Sequence, residues 1–349
     1  MQEVELAPGH RISRVIKGGW QLAGGHGAVN HQTAIADMAA YADAGIVTFD
    51  CADIYIGVED LIGAFRKDYR NNRGQAALDR IRVHTKFVPD LGILSKIDRT
   101  GVEHAIDTSL KRLGQERLDL VQFHWWDYEV DRQVEVAGWL GDLRRKGKIA
   151  NIGGTNFDAE QTGRILEAGV PLVSMQVQYS LIDRRPARHL APLATNAGVH
   201  FLCYGSVAGG FMSEYWLGKP APHDPLENRS LAKYLLMIDE FGGWDLFQAL
   251  LQRLGGIAKR HGTDIASIAS RAVLERDGVA AVIVGARNRS HLERNAAIPD
   301  LALTAEDLAG IDAILAQGNP IPGDVYTLER DREGRHGAVM KYNLNKDGH

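Results

Sequence analysis

Four unlike polar residues stand where short apolar runs end. Asp50 closes AGIVTFD, Tyr55 follows in the loop behind it, Lys86 stands in HTKF, and His124 stands in QFHWW. An isolated phenol titrates near 10, about three units above a neutral working pH. A neighbouring ammonium favours the phenolate and lowers that value. A carboxylate paired with the ammonium keeps it charged and in place, and a histidine can bind or orient the same substrate oxygen. Together they would make a proton donor for a carbonyl turning into an alkoxide, or a base for the reverse reaction. Each residue alone has an ordinary reading. An Asp after a strand is a turn or helix-cap residue, as Asp53 in the same stretch would also be. A lone Lys snorkels to solvent, a His beside two Trp is a packed histidine, and a loop Tyr is a rim aromatic. Convergence of all four on one rim is what stability alone does not explain.

The elements that must position them are legible as alternation. Candidate strands lie at 16–24, 44–50, 81–87, 118–125, 149–156, 171–179, 199–206 and 279–286. They are short and mostly rich in β-branched residues, as buried parallel strands are. Between them HQTAIADMAAYADAG, VEHAIDTSLKRLG, VEVAGWLGDLRRKGK and AEQTGRILEAG repeat apolar positions three or four apart and end near Gly. TAEDLAGIDAILAQG closes the series, with Thr304 and Asp307 spaced as a capping box. Strict alternation implies a parallel sheet with right-handed crossovers. Eight units over about 300 residues predict an α/β fold of the (β/α)8 TIM-barrel type. A doubly wound sheet is the rival, but GGWQLAGGHG lacks the G-x-G-x-x-G spacing such a fold would more often carry. Two segments fall outside the pattern. One is an extended loop and helix insertion at about 211–262, after the seventh strand, with its helix in WDLFQALLQRLGGIAKRHG. The other is a C-terminal tail from 319 onward. Neither reads as a domain boundary, so 1–349 is expected to be a single barrel domain with its core at about 11–318 and its tail at 319–349.

Composition narrows the function classes. Of 349 residues, 45% are hydrophobic and 24% charged, and the formal net charge is −4, which recruits neither nucleic acid nor anionic membrane. Two cysteines, Cys51 and Cys203, fit a reducing compartment. The N-terminus lacks the apolar core of a signal peptide and no apolar run is long enough to span a bilayer, so a cytoplasmic protein is expected. There is no H-E-x-x-H, no paired Cys spacing and no G-x-S-x-G elbow, so neither a metal site nor a hydrolase is expected. LRRKGK at 143–148 is a solvated helix end where cations suit the dipole.

If the barrel holds, the C-terminal ends of its strands carry the chemistry. They also offer Thr155, Asn156, Gln176, Tyr204, Gly205, Ser206, Gly285, Arg287 and Asn288, while Trp20, Trp125 and Trp126 are candidate walls of a substrate pocket. DCADIYIGVEDLIG resembles the D-x-A-x-x-Y-G-x-x-E motif of the aldo-keto reductase superfamily. HTKF, DLVQFHW, NIGGTNF, SMQVQYSLIDR and VIVGARN follow in the family's order, over roughly residues 11–318. The resemblance implies a (β/α)8 barrel using NADPH or NADH without a Rossmann domain. It implies Tyr55 as general acid/base, Lys86 and Asp50 as the pair that tunes it, and His124 as the group orienting the carbonyl. It places Thr155, Asn156 and Gln176 on the nicotinamide carboxamide, Tyr204 against the nicotinamide ring, and Gly205 and Ser206 over the pyrophosphate. Gly285, Arg287, Asn288, His291 and Asn295 match the stretch holding the adenosine and its 2′-phosphate, and Trp20 is counted with both the cofactor and the pocket. A guanidinium, a permanently charged planar fork, suits a phosphate.

Three departures stand out. Ile56 intervenes between Tyr55 and Gly57, which alters the rim of the pocket. Arg294 precedes Asn295 where the family often has Glu, which removes a carboxylate from the adenine side. YGSVAGG replaces Y-S-P, and its two adjacent glycines suggest close backbone approach or a loop moving over the cofactor. The expected function is an NAD(P)(H)-dependent oxidoreductase that reduces an aldehyde or ketone, or runs the reverse, with NADPH favoured. The alternative is a cofactor-binding regulatory barrel with little turnover. The expected partner is a small carbonyl or alcohol, with no nucleic acid and no membrane, and a homo-oligomer is compatible with the sequence.

Overall fold

A computed structural model describes residues 2–345 apart from 25, 26, 28, 224 and 225. Residues 224–225 of the expected insertion and 346–349 of the expected tail lie outside the described residues. The chain opens with an antiparallel hairpin, β1 (Glu3–Ala7) and β2 (His10–Ser13). Eight parallel strands follow: β3 (Val15–Gly18), β4 (Thr48–Asp50), β5 (Arg82–Phe87), β6 (Leu118–His124), β7 (Ile149–Thr155), β8 (Leu172–Gln178), β9 (His200–Tyr204) and β10 (Val279–Gly285). Each pairs with the next, and β10 closes on β3. This is the expected (β/α)8 barrel.

The strands carry two apolar faces because they are covered on both sides. Facing inward, Ile16, Leu120, Leu202 and Ala281 pack with Leu6 and Ile12 of the hairpin, which plugs the end of the barrel where the strands begin. Facing outward, Phe49, Val121, Phe123 and Val177 pack under the helices. Helix starts follow the side-chain chemistry: Asn30, Asp98 and Asp158 each accept a backbone N–H of the following turn. The Thr304–Asp307 capping box forms as its spacing predicts.

The expected strand at 16–24 stops at Gly18, and Trp20–Leu22 is a 3-10 turn. Gly19 runs so close to β4 that a Cβ there would stand 2.7 Å from Asp50 O, so the chain turns at the barrel mouth instead of extending. The insertion holds two helices, Arg229–Phe241 and Trp244–His261, where one was expected, followed by a third at Ile265–Leu274. The first is capped by Asn228 and buries Tyr234, Met237, Ile238 and Phe241, an i, i+3, i+4, i+7 stripe. These helices share a second hydrophobic cluster with Leu181, Ile182, Phe211 and the helix Ala305–Leu315.

The tail is a strap across the mouth. Its short helix Thr327–Arg330 is tied on the β8 side by Glu329, fully buried, which accepts both Nη groups of Arg185 at 2.9 Å. At its far end Asn345 bonds Val88 O and Asp90 in the loop after β5, and Leu91 N donates to Tyr342 O.

Candidate active site

The inward face of a parallel strand repeats every second residue. Gln122 and His124 on β6 therefore look into the barrel together, and Lys86 on β5 lies in register with Gln122. Asp50, the last residue of β4, completes a layer at the mouth. Lys86 Nζ donates to Asp50 Oδ2 at 2.5 Å and to Cys51 O at 2.8 Å. Asp50 Oδ1 accepts from Gln122 Nε2 at 2.9 Å and from Gln176 Nε2 at 2.6 Å. The buried carboxylate thus has three donors, the condition under which a buried charge is tolerated.

Tyr55 lies beyond this layer, its ring centroid 4.9 Å from Lys86 Nζ. Burial raises the phenol above its ordinary value, and the Lys86 ammonium offsets only part of that shift. The net direction is opposite to the one expected from the ammonium alone, because desolvation of the phenolate outweighs the attraction. Tyr55 is accordingly a protonated phenol at neutral pH. Burial acts on the ammonium in the losing direction too, but Asp50, then Tyr55, holds Lys86 above the usual lysine range. Asp53 is outside this constellation. Its carboxylate accepts Ile54 N and Val88 N and fastens the loop after β4 to the loop after β5, while burial pushes it up to about 7.

His124 Nδ1 bonds Thr155 O at 3.0 Å, while Nε2 is buried without a partner. Burial, with the Arg330 guanidinium second, lowers the imidazole to about 3. Trp126 packs edge-to-face on this ring at 4.3 Å and Tyr326 of the tail at 5.7 Å. Trp125 faces the other way. It packs on Phe123 in the layer under the helices and its N–H donates to Val130 O, because odd positions on β6 point outward, so it does not wall the mouth as expected. Trp20 does stand at the rim, 39% exposed and edge-on to Tyr55 at 5.1 Å, with Ile56 54% exposed beside it.

The other sequence candidates extend from the mouth towards β10. Thr155 Oγ1 is buried and unpartnered, and Asn156, at φ 60°, accepts the Tyr204 hydroxyl at 2.9 Å. Gly205 and Gly209, both at positive φ, wrap the ring of Tyr234 from the insertion, and a Cβ on Gly205 would stand 2.2 Å from its Oη. The close approach suggested by YGSVAGG is therefore to Tyr234. Ser206 is buried against Ser270 at 3.0 Å. Gly285, Arg287, Asn288 and His291 form an exposed shelf beyond β10, where Asn288 caps Ser290 N. Asn295 turns inward to the Tyr41 hydroxyl at 3.3 Å, and Arg294 is held by Asp264 at 2.9 Å.

The sequence reading missed several contributors. Gln122 was detectable, since it precedes His124 by two on a strand. The roof was not: Arg330 donates to Trp125 O and Asn156 O, and Tyr342 packs on Trp126. Lys233 of the insertion stands 5.4 Å from the Tyr204 ring and 3.8 Å from Glu329. Among the described residues, no group of three or more His, Cys, Asp or Glu is placed to hold a metal ion, and no helix is long and apolar enough to cross a membrane.

Comparison with known proteins agrees with this geometry. Aldo-keto reductase YhdN of Bacillus subtilis is 29% identical over 314 residues, covering 88% of this chain and 91% of that protein. L-glyceraldehyde 3-phosphate reductase of Escherichia coli K12 is 26% identical over 324 residues, covering 89% and 91%. The solved glycerol dehydrogenase of Gluconobacter oxydans superposes with a TM-score of 0.74 at 25% identity, over 90% of this chain and 95% of that one. The model of the aldo/keto reductase family matches residues 14–316. A barrel whose mouth gathers a phenol, an ammonium, a carboxylate and an imidazole, in a chain matched almost throughout by that model, belongs to the aldo/keto reductase family of nicotinamide-dependent carbonyl oxidoreductases.

Proposed function

We propose that this protein interconverts an aldehyde or ketone with its alcohol, with Tyr55 as the general acid that protonates the oxygen and as the base in reverse. The observation that carries the reading is the Lys86 ammonium, paired with Asp50 and 4.9 Å from the centre of the Tyr55 ring at the mouth. Tyr55 gives its proton as negative charge grows on the substrate oxygen. Lys86 stabilises the phenolate left behind, and Asp50 keeps Lys86 charged and in place. His124 and Trp126 line the side of the pocket facing the oxygen. The nicotinamide, when bound, supplies or takes the hydride.

The residues fit such a dinucleotide. The unpartnered Thr155 hydroxyl and the Asn156 amide suit a carboxamide, the Tyr204 ring offers a face, and the exposed Arg287 and His291 suit a phosphate. Arg287 supports NADPH over NADH. We also take residues 1–349 as a single barrel domain, its tail forming the roof. Relatives named for a reductase and for a dehydrogenase support both directions.

Titration of tryptophan fluorescence with NADPH and NADH tests the cofactor site, with tighter NADPH expected. Tyr55→Phe is expected to lower kcat by roughly 10²–10⁴-fold with cofactor affinity nearly unchanged. A biological effect that survives Tyr55→Phe would instead favour a regulatory barrel. Absence of binding to either cofactor would sink the proposal.

A further inference from the structure

One charged residue stands in the apolar layer beneath the helices. Val15 on β3 and Val282 and Val284 on β10 belong to that layer. Lys17 follows Val15 by two, so it shares that face of β3, and it lies in register with Val284. It is 3% exposed, and its ammonium is 5.5 Å from the centre of the Tyr41 ring on the helix His31–Asp43. Among the described residues its one hydrogen-bond acceptor is a backbone carbonyl, Ala286 O at 3.0 Å, and no carboxylate pairs with it. Burial lowers the ammonium to about 8, and Asp37, farther off, offsets only part of that shift. A buried charge held in this way costs stability, so packing does not explain Lys17.

What it holds gives the reason. Gly285 and the stretch from Arg287 to His291 are exposed, while Ala286 between them is buried. Ala286 is the point where the chain leaves β10 for the shelf, and Lys17 grips its carbonyl from beneath. The helix His31–Asp43 ties the same stretch farther along. The Tyr41 hydroxyl donates to Asn288 O and accepts from Asn295 Nδ2, each at 3.3 Å, and Asp37 faces the Arg289 guanidinium at 3.6 Å. A shelf fastened by its backbone presents its side chains in fixed directions, and order supplied beforehand is not lost again when a ligand binds.

We propose that Lys17 is a positioning residue for the adenosine end of the dinucleotide: by fixing Ala286 O it sets the direction in which residues 287–295 leave the barrel to receive that end. This rests on the reading of the shelf as part of a cofactor site. Lys17 is buried beneath the shelf and acts through the backbone it holds. Its charge is a loss to the fold and a gain to binding, so stability and affinity move in opposite directions when it is replaced.

Lys17→Met keeps an unbranched apolar stem and removes the charge and the donor. The test is calorimetric titration of wild type and variant with NADPH and with adenosine 2′,5′-bisphosphate, which is the adenosine end alone. Both compounds are expected to bind the variant at least about tenfold more weakly, the size of one lost hydrogen bond from a charged group. The melting temperature without ligand is expected to rise, because methionine buries no charge. With a carbonyl that wild type reduces, KM for NADPH should rise while kcat at saturation stays nearly unchanged. Affinities equal to wild type would overturn the inference and leave the cofactor reading intact. Weaker binding joined to a lower melting temperature, or a variant that does not fold, would overturn it too, since Lys17 would then serve the fold as a whole. Wild type that binds neither compound would refute the cofactor reading and the inference that rests on it.

Discussion

The tail is held by a buried charge cluster whose strength can be worked out. Arg185 donates Nε and Nη2 to Asp183 at 2.9 and 2.8 Å, and Nη1 and Nη2 to Glu329 at 2.9 Å each. Lys233 lies 3.8 Å from Glu329, so two cations face two carboxylates with almost no exposure at the centre. Glu329→Gln keeps the shape but leaves the cluster with one uncompensated positive charge. Removing one member of a buried pair costs about 3–5 kcal/mol. A second route gives a similar size. Burial pushes the Glu329 carboxyl up, yet Arg185 and then Lys233 outweigh it and bring it from 4.5 down to about 2. At 1.36 kcal/mol per pH unit that corresponds to about 3 kcal/mol.

The native value is the lower one, so the stabilisation is present in full above the unfolded value of 4.5 and is lost as pH falls towards about 2. If the strap opens locally, its amides gain exchange by about 100-fold in Glu329→Gln, since each 1.4 kcal/mol is roughly tenfold. Hydrogen exchange read by mass spectrometry over residues 321–345 measures this at neutral pH, and a series down to about pH 3 should show the wild type approaching the variant. Protection in Glu329→Gln equal to wild type, or a gap that persists unchanged at low pH, would refute the account of the tail as fastened by charge.

Three further outcomes follow from the same geometry. Lys86→Met leaves Asp50 charged and buried, and should cost about 3–5 kcal/mol in urea unfolding; Asp50→Asn/Lys86→Met should be less destabilised than Lys86→Met, and the reverse order would count against the pairing. Because burial raises the Tyr55 phenol, reductive kcat/KM should not fall between about pH 6 and about pH 9, and a loss with an apparent pKa within that range would contradict the assignment. Gly205→Ala should lower the melting temperature, since its φ is +74° and its Cβ would meet Tyr234 Oη at 2.2 Å; Tyr234→Phe in the same chain removes that nearest atom and should restore part of the loss.

What the sequence made readable was what repeats. β-branched runs and helical stripes have fixed periods, so the eight barrel strands were found, with errors mainly where a strand meets a turn. The expected strand at 16–24 overran because GWQLAG keeps an apolar character while the backbone bends at Gly19. The Asp50–Lys86–Tyr55–His124 rim was readable because each residue sits at or just beyond a strand end. Trp125 and Trp126 show the limit. They are adjacent and chemically identical, and only the phase of β6 decides which meets His124 and which meets Val130. The tail was unreadable for a different reason. Its placement depends on contacts 144 residues apart in the chain, such as Arg185 with Glu329, and no local period announces such a pair.

The two buried charge clusters divide the labour at the mouth. Asp50 and Lys86 lie below Tyr55, and the pair leaves the phenol protonated yet places a cation where a phenolate would form. Asp183, Arg185, Lys233 and Glu329 lie to the side and join three distant segments: the loop after β8, the insertion helix and the tail. The second cluster reaches the site only through what it positions, namely Tyr326 on His124 and Lys233 near Tyr204. Tyr326 carries a positive φ of 63°, unusual for a bulky residue, and it needs such an anchorage a few residues away to persist. A change in the first cluster should therefore strike the chemical step with every substrate. A change in the second should alter which substrates fit beneath the roof and how fast they leave. Glu329→Gln and Lys86→Met, assayed side by side on small and bulky carbonyls, separate these effects: the first is expected to change the ranking of substrates, the second to lower all of them together.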